Sequence, residues 1–177
     1  MDCIILGPTQ VKKISCYGQI ANLEEYLNMA GKFFAENFSE VIIVPDYGLP
    51  MLVAQKYKLY RPTGKVIGYI PDKTKGGKDL EKYFAFCDEI KGINGGWFNL
   101  NTQLTKHSDH IFCLGFSAGV LIEIGSIKYN QYYLKQNTKL YIDQRCISGK
   151  LMLEIESDIN NIYYFSNFKD AADKLKL

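Results

Sequence analysis

The chain has 177 residues, enough for one domain with a substantial core. Hydrophobic residues make up 47% and charged residues 23%, a globular balance that excludes wholesale disorder. The formal net charge is only +2, and without a dense Lys/Arg patch nucleic acid is not an expected partner. The five cysteines, Cys3, Cys16, Cys87, Cys113 and Cys146, form no C-x-x-C pair and read as reduced, mostly buried thiols. The start, Met1 to Gly7, is acidic, and its apolar run is too short for a signal peptide. No apolar stretch approaches the roughly 20 residues of a membrane-spanning helix. The expected location is the cytoplasm, with no membrane partner.

In chain order, Cys3–Leu6 is a short apolar run stopped at Gly7-Pro8, the pattern of a buried strand. Val11–Tyr17 is ambiguous, with a second extended piece as one reading. From Ala21 the period changes: Leu23, Tyr26, Leu27, Ala30, Phe33 and Phe34 fall at helical spacing, with Asn22 as the candidate N-cap. The β-branched run Val41–Val44, closed by Pro45-Asp46-Tyr47-Gly48, predicts a strand buried on both faces. Leu49–Tyr57 resumes helical spacing, with Pro50 tolerated in a first turn. Lys65–Ile70 predicts the next strand, closed by Pro71.

Asp72–Lys78 is the most loop-like stretch. Leu80–Ile90 is expected to be helical, Gly92–Gly96 a loop, and Asn99–His107 a helix. Ile111–Leu114 predicts a strand and Ala118–Ile127 a helix. Leu140–Ile142 and Ile162–Phe165 complete the strands, and Asp170–Leu175 a last helix. Strands alternating with helices imply a Rossmann-like, three-layer α/β sandwich on a mostly parallel sheet. With no repeat, low-complexity tract or linker, residues 1–177 are expected to form a single domain.

In an open α/β sheet, ligands bind beyond the carboxyl ends of the strands. Three turns are candidates: Gly7-Pro8-Thr9, Asp46-Tyr47-Gly48 and Gly115-Phe116-Ser117-Ala118-Gly119. The third has small residues that let a ligand approach the backbone. The helix after it presents unpaired N–H groups and a positive dipole end, a phosphate site that requires no basic side chain. The competing expectation is that these glycines only permit tight helix–strand packing.

Gly115 to Glu123 resembles the P-G-G-x-G-T-x-x-E signature of the LOG family, long labelled lysine decarboxylases, within the SLOG group of Rossmann-like nucleotide-binding proteins. The approach to it, Lys106 to Phe112, is similar to the segment that introduces the signature in that family. So are Tyr47 to Ala54 and Gly64 to Pro71, which resemble G-x-x-G-L-M…A and G-G-x-V-I-G-I-x-P. Together these pieces span about two thirds of the chain in matching order.

The resemblance implies nucleotide binding at these turns. In active members it implies cleavage of the N-glycosidic bond of a nucleoside 5′-monophosphate, with Glu123 matching the signature glutamate. The signature proline is Gly115 here, its paired glycines are Phe116 and Ser117, and its threonine is Val120. The family's arginine falls near Leu100, and the only arginines are Arg61 and Arg145. Cleavage needs stabilised charge and an oriented substrate, so the lost arginine bears on catalysis more than on binding. The expectation is therefore a binding protein for a nucleotide or sugar phosphate, with phosphoribohydrolase activity as the alternative; no particular cofactor is predicted, and no metal is expected. For Glu123 the plainer reading is a carboxylate favoured by the helix dipole.

Other readings attach to the same residues. Gly115-x-Ser117-x-Gly119 fits the nucleophile elbow of serine hydrolases, but both histidines, His107 and His110, precede Ser117. His107-Ser108-Asp109-His110 offers metal-ligand types, yet adjacent strand residues face opposite sides, and a polar junction is the simpler expectation. Lys73, Lys75 and Lys78 around Gly76-Gly77 read as a solvated loop or a phosphate-reaching lid. Trp97 and the tyrosines are expected in core and interface packing, with Tyr132-Tyr133 marking a candidate homo-oligomer face.

Overall fold

The computed structural model describes residues 1–12, 14, 19–72 and 84–176. Seven strands form one all-parallel sheet: β1 (Asp2–Leu6), β2 (Glu40–Ile43), β3 (Lys65–Pro71), β4 (Glu89–Ile93), β5 (His110–Cys113), β6 (Lys139–Asp143) and β7 (Ile162–Phe165). Six α-helices are described: α1 (Leu23–Asn37), α2 (Leu49–Tyr60), α3 (Trp97–Gln103), α4 (Ala118–Tyr133), α5 (Leu153–Glu156) and α6 (Phe168–Lys174). The fold is the Rossmann-like α/β sandwich that the alternating pattern predicts.

The sheet order is β4-β3-β2-β1-β5-β6-β7. The chain starts in the middle, winds outward to β4, then crosses back to place β5 against the free side of β1. Cys3 pairs with Val41 on one side, and Ile5 with Phe112 on the other. The reversal between β1 and β5 is the topological switch point of the sheet.

Strand alternation divides the core in two. Cys3, Ile5, Val41, Ile43, Phe112 and Tyr141 face one side and pack under α1, α2 and α6. Ile4, Leu6, Ile42, Ile111, Cys113 and Ile142 face the other, under Leu100 of α3 and Val120, Ile124 and Ile127 of α4. Burial on both faces explains why the inner strands are unbroken apolar runs. Cys3, Cys87, Cys113 and Cys146 are unbridged thiols. Burial pushes the Cys87 thiol up to about 11 and the Cys113 thiol to about 12, so both are poor nucleophiles at neutral pH. Cys16 lies outside the described residues. Among the described residues no helix is long and apolar enough to cross a membrane.

Local chemistry sets the helix starts. The Asn22 side chain caps α1 by accepting from the Glu25 N–H at 3.2 Å, and Pro50 sits in the first turn of α2. Three expectations are corrected. Glu89 and Ile90 are strand rather than helix, and Gly92 and Ile93 are strand rather than loop. Their edge strand, with Glu89 and Lys91 half-buried and ion-paired, is recruited by β3 through pairs from Ile67–Glu89 to Pro71–Ile93. No local period announces it. The expected helix over residues 80–83, and Lys73, Lys75 and Lys78, lie outside the described residues. In the ambiguous Val11–Tyr17 stretch, the described residues Lys12 and Ile14 are helical rather than extended, with the Ile14 N–H donating to the Val11 carbonyl. Finally, α4 runs to Tyr133, past the expected Ile127, because Ile127 and Asn130 keep one face buried.

Candidate functional site

The turns after β1, β2 and β5 converge at the switch point. The Leu114 N–H donates to the Leu6 carbonyl at 2.8 Å, extending the β1–β5 ladder to the edge of the site. The Leu49 N–H donates to the Pro8 carbonyl at 3.0 Å, tying the first turn to the start of α2. Asp46 joins the first two turns: its Oδ2 accepts from the Thr9 hydroxyl at 3.1 Å and its Oδ1 from the Gly48 N–H at 2.7 Å. Gly115 has φ +125°, a conformation that disfavours a side chain. A Cβ there would also sit 3.1 Å from Pro8 Cδ and 3.3 Å from the Cys146 carbonyl oxygen. The third turn therefore folds tightly against the first.

Between them opens a crevice of about 170 Å³, bounded by Gly7, Thr9, Asp46, Trp97, Asn101, Ser117, Gly119 and Glu123. Six of these are residues singled out from the sequence. The other expected site residues have supporting places. Pro8, Gly48 and Gly115 are buried behind the crevice, Phe116 packs against the α3–α4 side of the core, and Ala118 is exposed on the first turn of α4. Tyr47 is 61% exposed and does not line it.

Trp97 and Asn101 were not expected there. Both belong to α3, and Trp97, expected in core and interface packing, is 40% exposed and lines the crevice. Their position follows from β4, which delivers α3 to this end of the sheet.

Ser117 is the N-cap of α4, its hydroxyl oxygen accepting from the Val120 N–H at 3.3 Å. That bond uses an acceptor lone pair and leaves the hydroxyl proton available. The other N–H groups of the first turn of this 16-residue helix have no carbonyl within the helix to bond.

Glu123 is the decisive side chain. It is 5% exposed, and among the described residues no hydrogen bond or ion pair reaches its carboxylate. Nor is the carboxylate sealed in the core: among the described residues, the buried polar side-chain atoms without a partner are Gln136 Oε1 and Thr138 Oγ1, so the Glu123 oxygens meet the crevice. Burial, and then the negative charge of Asp46, push its pKa from 4.5 up to about 8. Asp46 is itself raised, by burial, against the bonds from Gly48 and Thr9. Among the described residues no Lys, Arg or His lines the crevice. Arg61 donates to the Ala35 carbonyl, Arg145 is paired with Asp143, and Leu100, where the resemblance would place an arginine, is fully buried.

The rival arrangements do not assemble. His110 opens β5 whereas Ser117 follows its end, so the sheet separates them. His110 packs edge-on to Phe38 and parallel to Tyr141, and His107 stacks on Tyr69 with ring centroids 4.4 Å apart. Burial holds both imidazoles below their ordinary range, helped by Lys91 and Lys106 at His107 and by Lys139 at His110. Among the described residues no cluster of metal-ligating side chains forms.

A larger cavity of about 670 Å³ runs along the outer face of α4, away from the strand ends. Its buried polar groups are satisfied internally, Asn130 donating to Thr105 at 2.8 Å and Thr105 bonding Ser126 at 2.7 Å. Size favours this groove, but the unpartnered acid favours the crevice, and buried polar groups are the more informative signal.

No protein-family model matches the chain, and no curated protein matches it. Among solved structures, the chain is similar to the X-ray structure of the structural-genomics target TM1055, at 15% identity and a TM-score of 0.69, over 99% of this chain and 98% of that one. It is also similar to the molybdenum cofactor carrier protein of Chlamydomonas reinhardtii, at 16% identity and a TM-score of 0.62, over 99% and 95% of the two chains. At these identities the likeness establishes the shared fold.

Proposed function

We propose that this protein binds a nucleotide or another phosphorylated small molecule across the switch point. The phosphate would sit on the N–H groups of Ser117–Gly119 at the start of α4, between the Gly7–Thr9 and Asp46–Gly48 turns. The observation that carries this reading is Glu123. A buried carboxylate held for structure is paired, and an unpaired one opening on a crevice is a group kept for a ligand. The LOG/SLOG resemblance supports the same turns, since Gly119 and Glu123 stand at signature positions. The name of the molybdenum cofactor carrier supports small-molecule carriage without turnover as one form of this function.

Glycosidic hydrolysis is the second reading, favoured by the raised pKa of Glu123. A carboxylic acid still protonated at neutral pH can donate its proton to a departing base while water adds to the sugar carbon. No arginine of the crevice assists it, so binding is placed before catalysis. A second copy of the chain is the partner we propose for the outer face of α4, where Tyr129, Tyr132 and Tyr133 are exposed.

The test is a thermal-shift screen against nucleoside mono-, di- and triphosphates, dinucleotides and ribose phosphates, with product analysis of every hit. A ligand of the folded state raises the melting temperature by mass action. A shift abolished by Ser117→Glu supports the phosphate position, and product formation lost in Glu123→Gln supports the hydrolase. No shift at millimolar ligand would overturn the proposal and leave the glycines a packing role.

A further inference from the structure

The crevice has a polarity of its own. At about 170 Å³ it is smaller than the ~300–1,000 Å³ of pockets that enclose a whole ligand, so it takes one ring system while the rest lies outside. Its titratable groups are the carboxyls of Asp46 and Glu123, with no cation among the described lining residues. A phosphate finds no cation on such a floor and is better placed at the start of α4. The floor instead offers acceptors. Asp46 is occupied on both oxygens by Thr9 and Gly48, whereas Glu123 has both free. An ionised carboxylate accepts two parallel N–H bonds in a fork. Trp97 at the rim supplies a ring face for a planar heterocycle.

We infer that the crevice selects a heterocycle with two adjacent N–H donors, the ring N–H and amino edge shared by guanine and pterin, and that the Glu123 carboxylate accepts both. The inference rests on the proposed site and names the part of the ligand that its floor reads. The groups facing Glu123 are the Asp46 carboxylate from the turn after β2 and the Cys113 thiol at the end of β5, and that thiol stays neutral below pH 12 or so. Free Glu123 is protonated at neutral pH and must lose its proton to accept two donors. Binding therefore releases a proton, and affinity rises with pH until about 8.

The experiment is calorimetric titration of guanosine 5′-monophosphate, inosine 5′-monophosphate (the same molecule without the amino group), adenosine 5′-monophosphate and neopterin. It uses the wild type, Glu123→Gln and Ser117→Glu. For the wild type we expect the guanine nucleotide to bind about tenfold tighter than the inosine one, the size of one hydrogen bond to a charged group. Its affinity should rise roughly tenfold from pH 6.5 to 7.5. Both effects should vanish in Glu123→Gln, whose fold is verified by melting. Tight binding of neopterin with none of the guanine nucleotide assigns the edge to a pterin, and the reverse assigns it to guanine.

Equal binding of guanine and inosine nucleotides, lost in Ser117→Glu, would overturn this inference and leave the phosphate site standing. A guanine preference retained in Ser117→Glu would keep the inference and remove the phosphate placement. Tighter binding of the adenine nucleotide, weakening above pH 8, would overturn it in favour of a protonated Glu123 donating to a ring nitrogen. Binding of none of the four would overturn it together with the proposed site.

Discussion

Two carboxylates are buried at the carboxyl end of the sheet, Asp143 at the end of β6 and Glu123 on α4, and they differ in what surrounds them. Asp143 is fully buried and fully used. Its Oδ1 accepts from the Arg145 backbone N–H and Nε, both at 3.0 Å, and its Oδ2 from Arg145 Nη2 at 2.7 Å and the Tyr26 hydroxyl at 3.1 Å. The guanidinium lies over the rings of Tyr26 and Phe168, and the Cys146 thiol donates to the Tyr26 hydroxyl. Glu123 has no such partners among the described residues and faces open space. Burial alone therefore does not mark function. A satisfied buried charge organises the fold, and the unsatisfied one at the switch point is the group we propose for a ligand.

This contrast can be broken by mutation, and the largest effect belongs to the paired site. Asp143→Ala leaves Arg145 and Tyr26 without their acceptor and should cost about 3–5 kcal/mol in urea unfolding. A loss below 1 kcal/mol would show that the network is not structural.

Glu123→Gln should act in the opposite direction. Because burial and Asp46 raise the folded pKa above that of the unfolded chain, the wild type loses stability as pH climbs from about 4.5 to 8 and no further above it. The variant, which cannot ionise, should be more stable by about 2–4 kcal/mol at pH 8 and equal near pH 4. A variant less stable than the wild type at pH 8 would mean that Glu123 has a hidden partner.

Gly115→Ala forces a side chain into a φ of +125° beside Pro8, and thermal melts should register about 1–3 kcal/mol of destabilisation. Ser117→Ala removes only the cap of α4 and should cost about 1 kcal/mol.

What the sequence discloses follows the range of the forces involved. Inner strands such as Val41–Val44 were legible because burial on both faces writes itself as consecutive apolar residues, and Asn22 and Pro50 because capping is local. The turn Gly115–Gly119 and Glu123 stood out as candidates because small residues and a carboxylate at fixed spacing form one compact pattern. β4 was not, since Glu89–Ile93 becomes a strand only by pairing with β3. Its loss hid the placement of α3, and with it Trp97 and Asn101. The pairing of Asp143 with Tyr26 joins residues far apart in the chain, and Tyr26 was read only as one position on a helical face.

The most direct test of the central claim is an NMR map of backbone amide shifts on adding whichever nucleotide raises the melting temperature. The account predicts perturbations confined to Gly7–Thr9, Asp46–Gly48, Trp97–Asn101 and Gly115–Glu123. Perturbations centred instead on Thr102, Lys128, Tyr129 and Asp158, along the larger groove of α4, would contradict it.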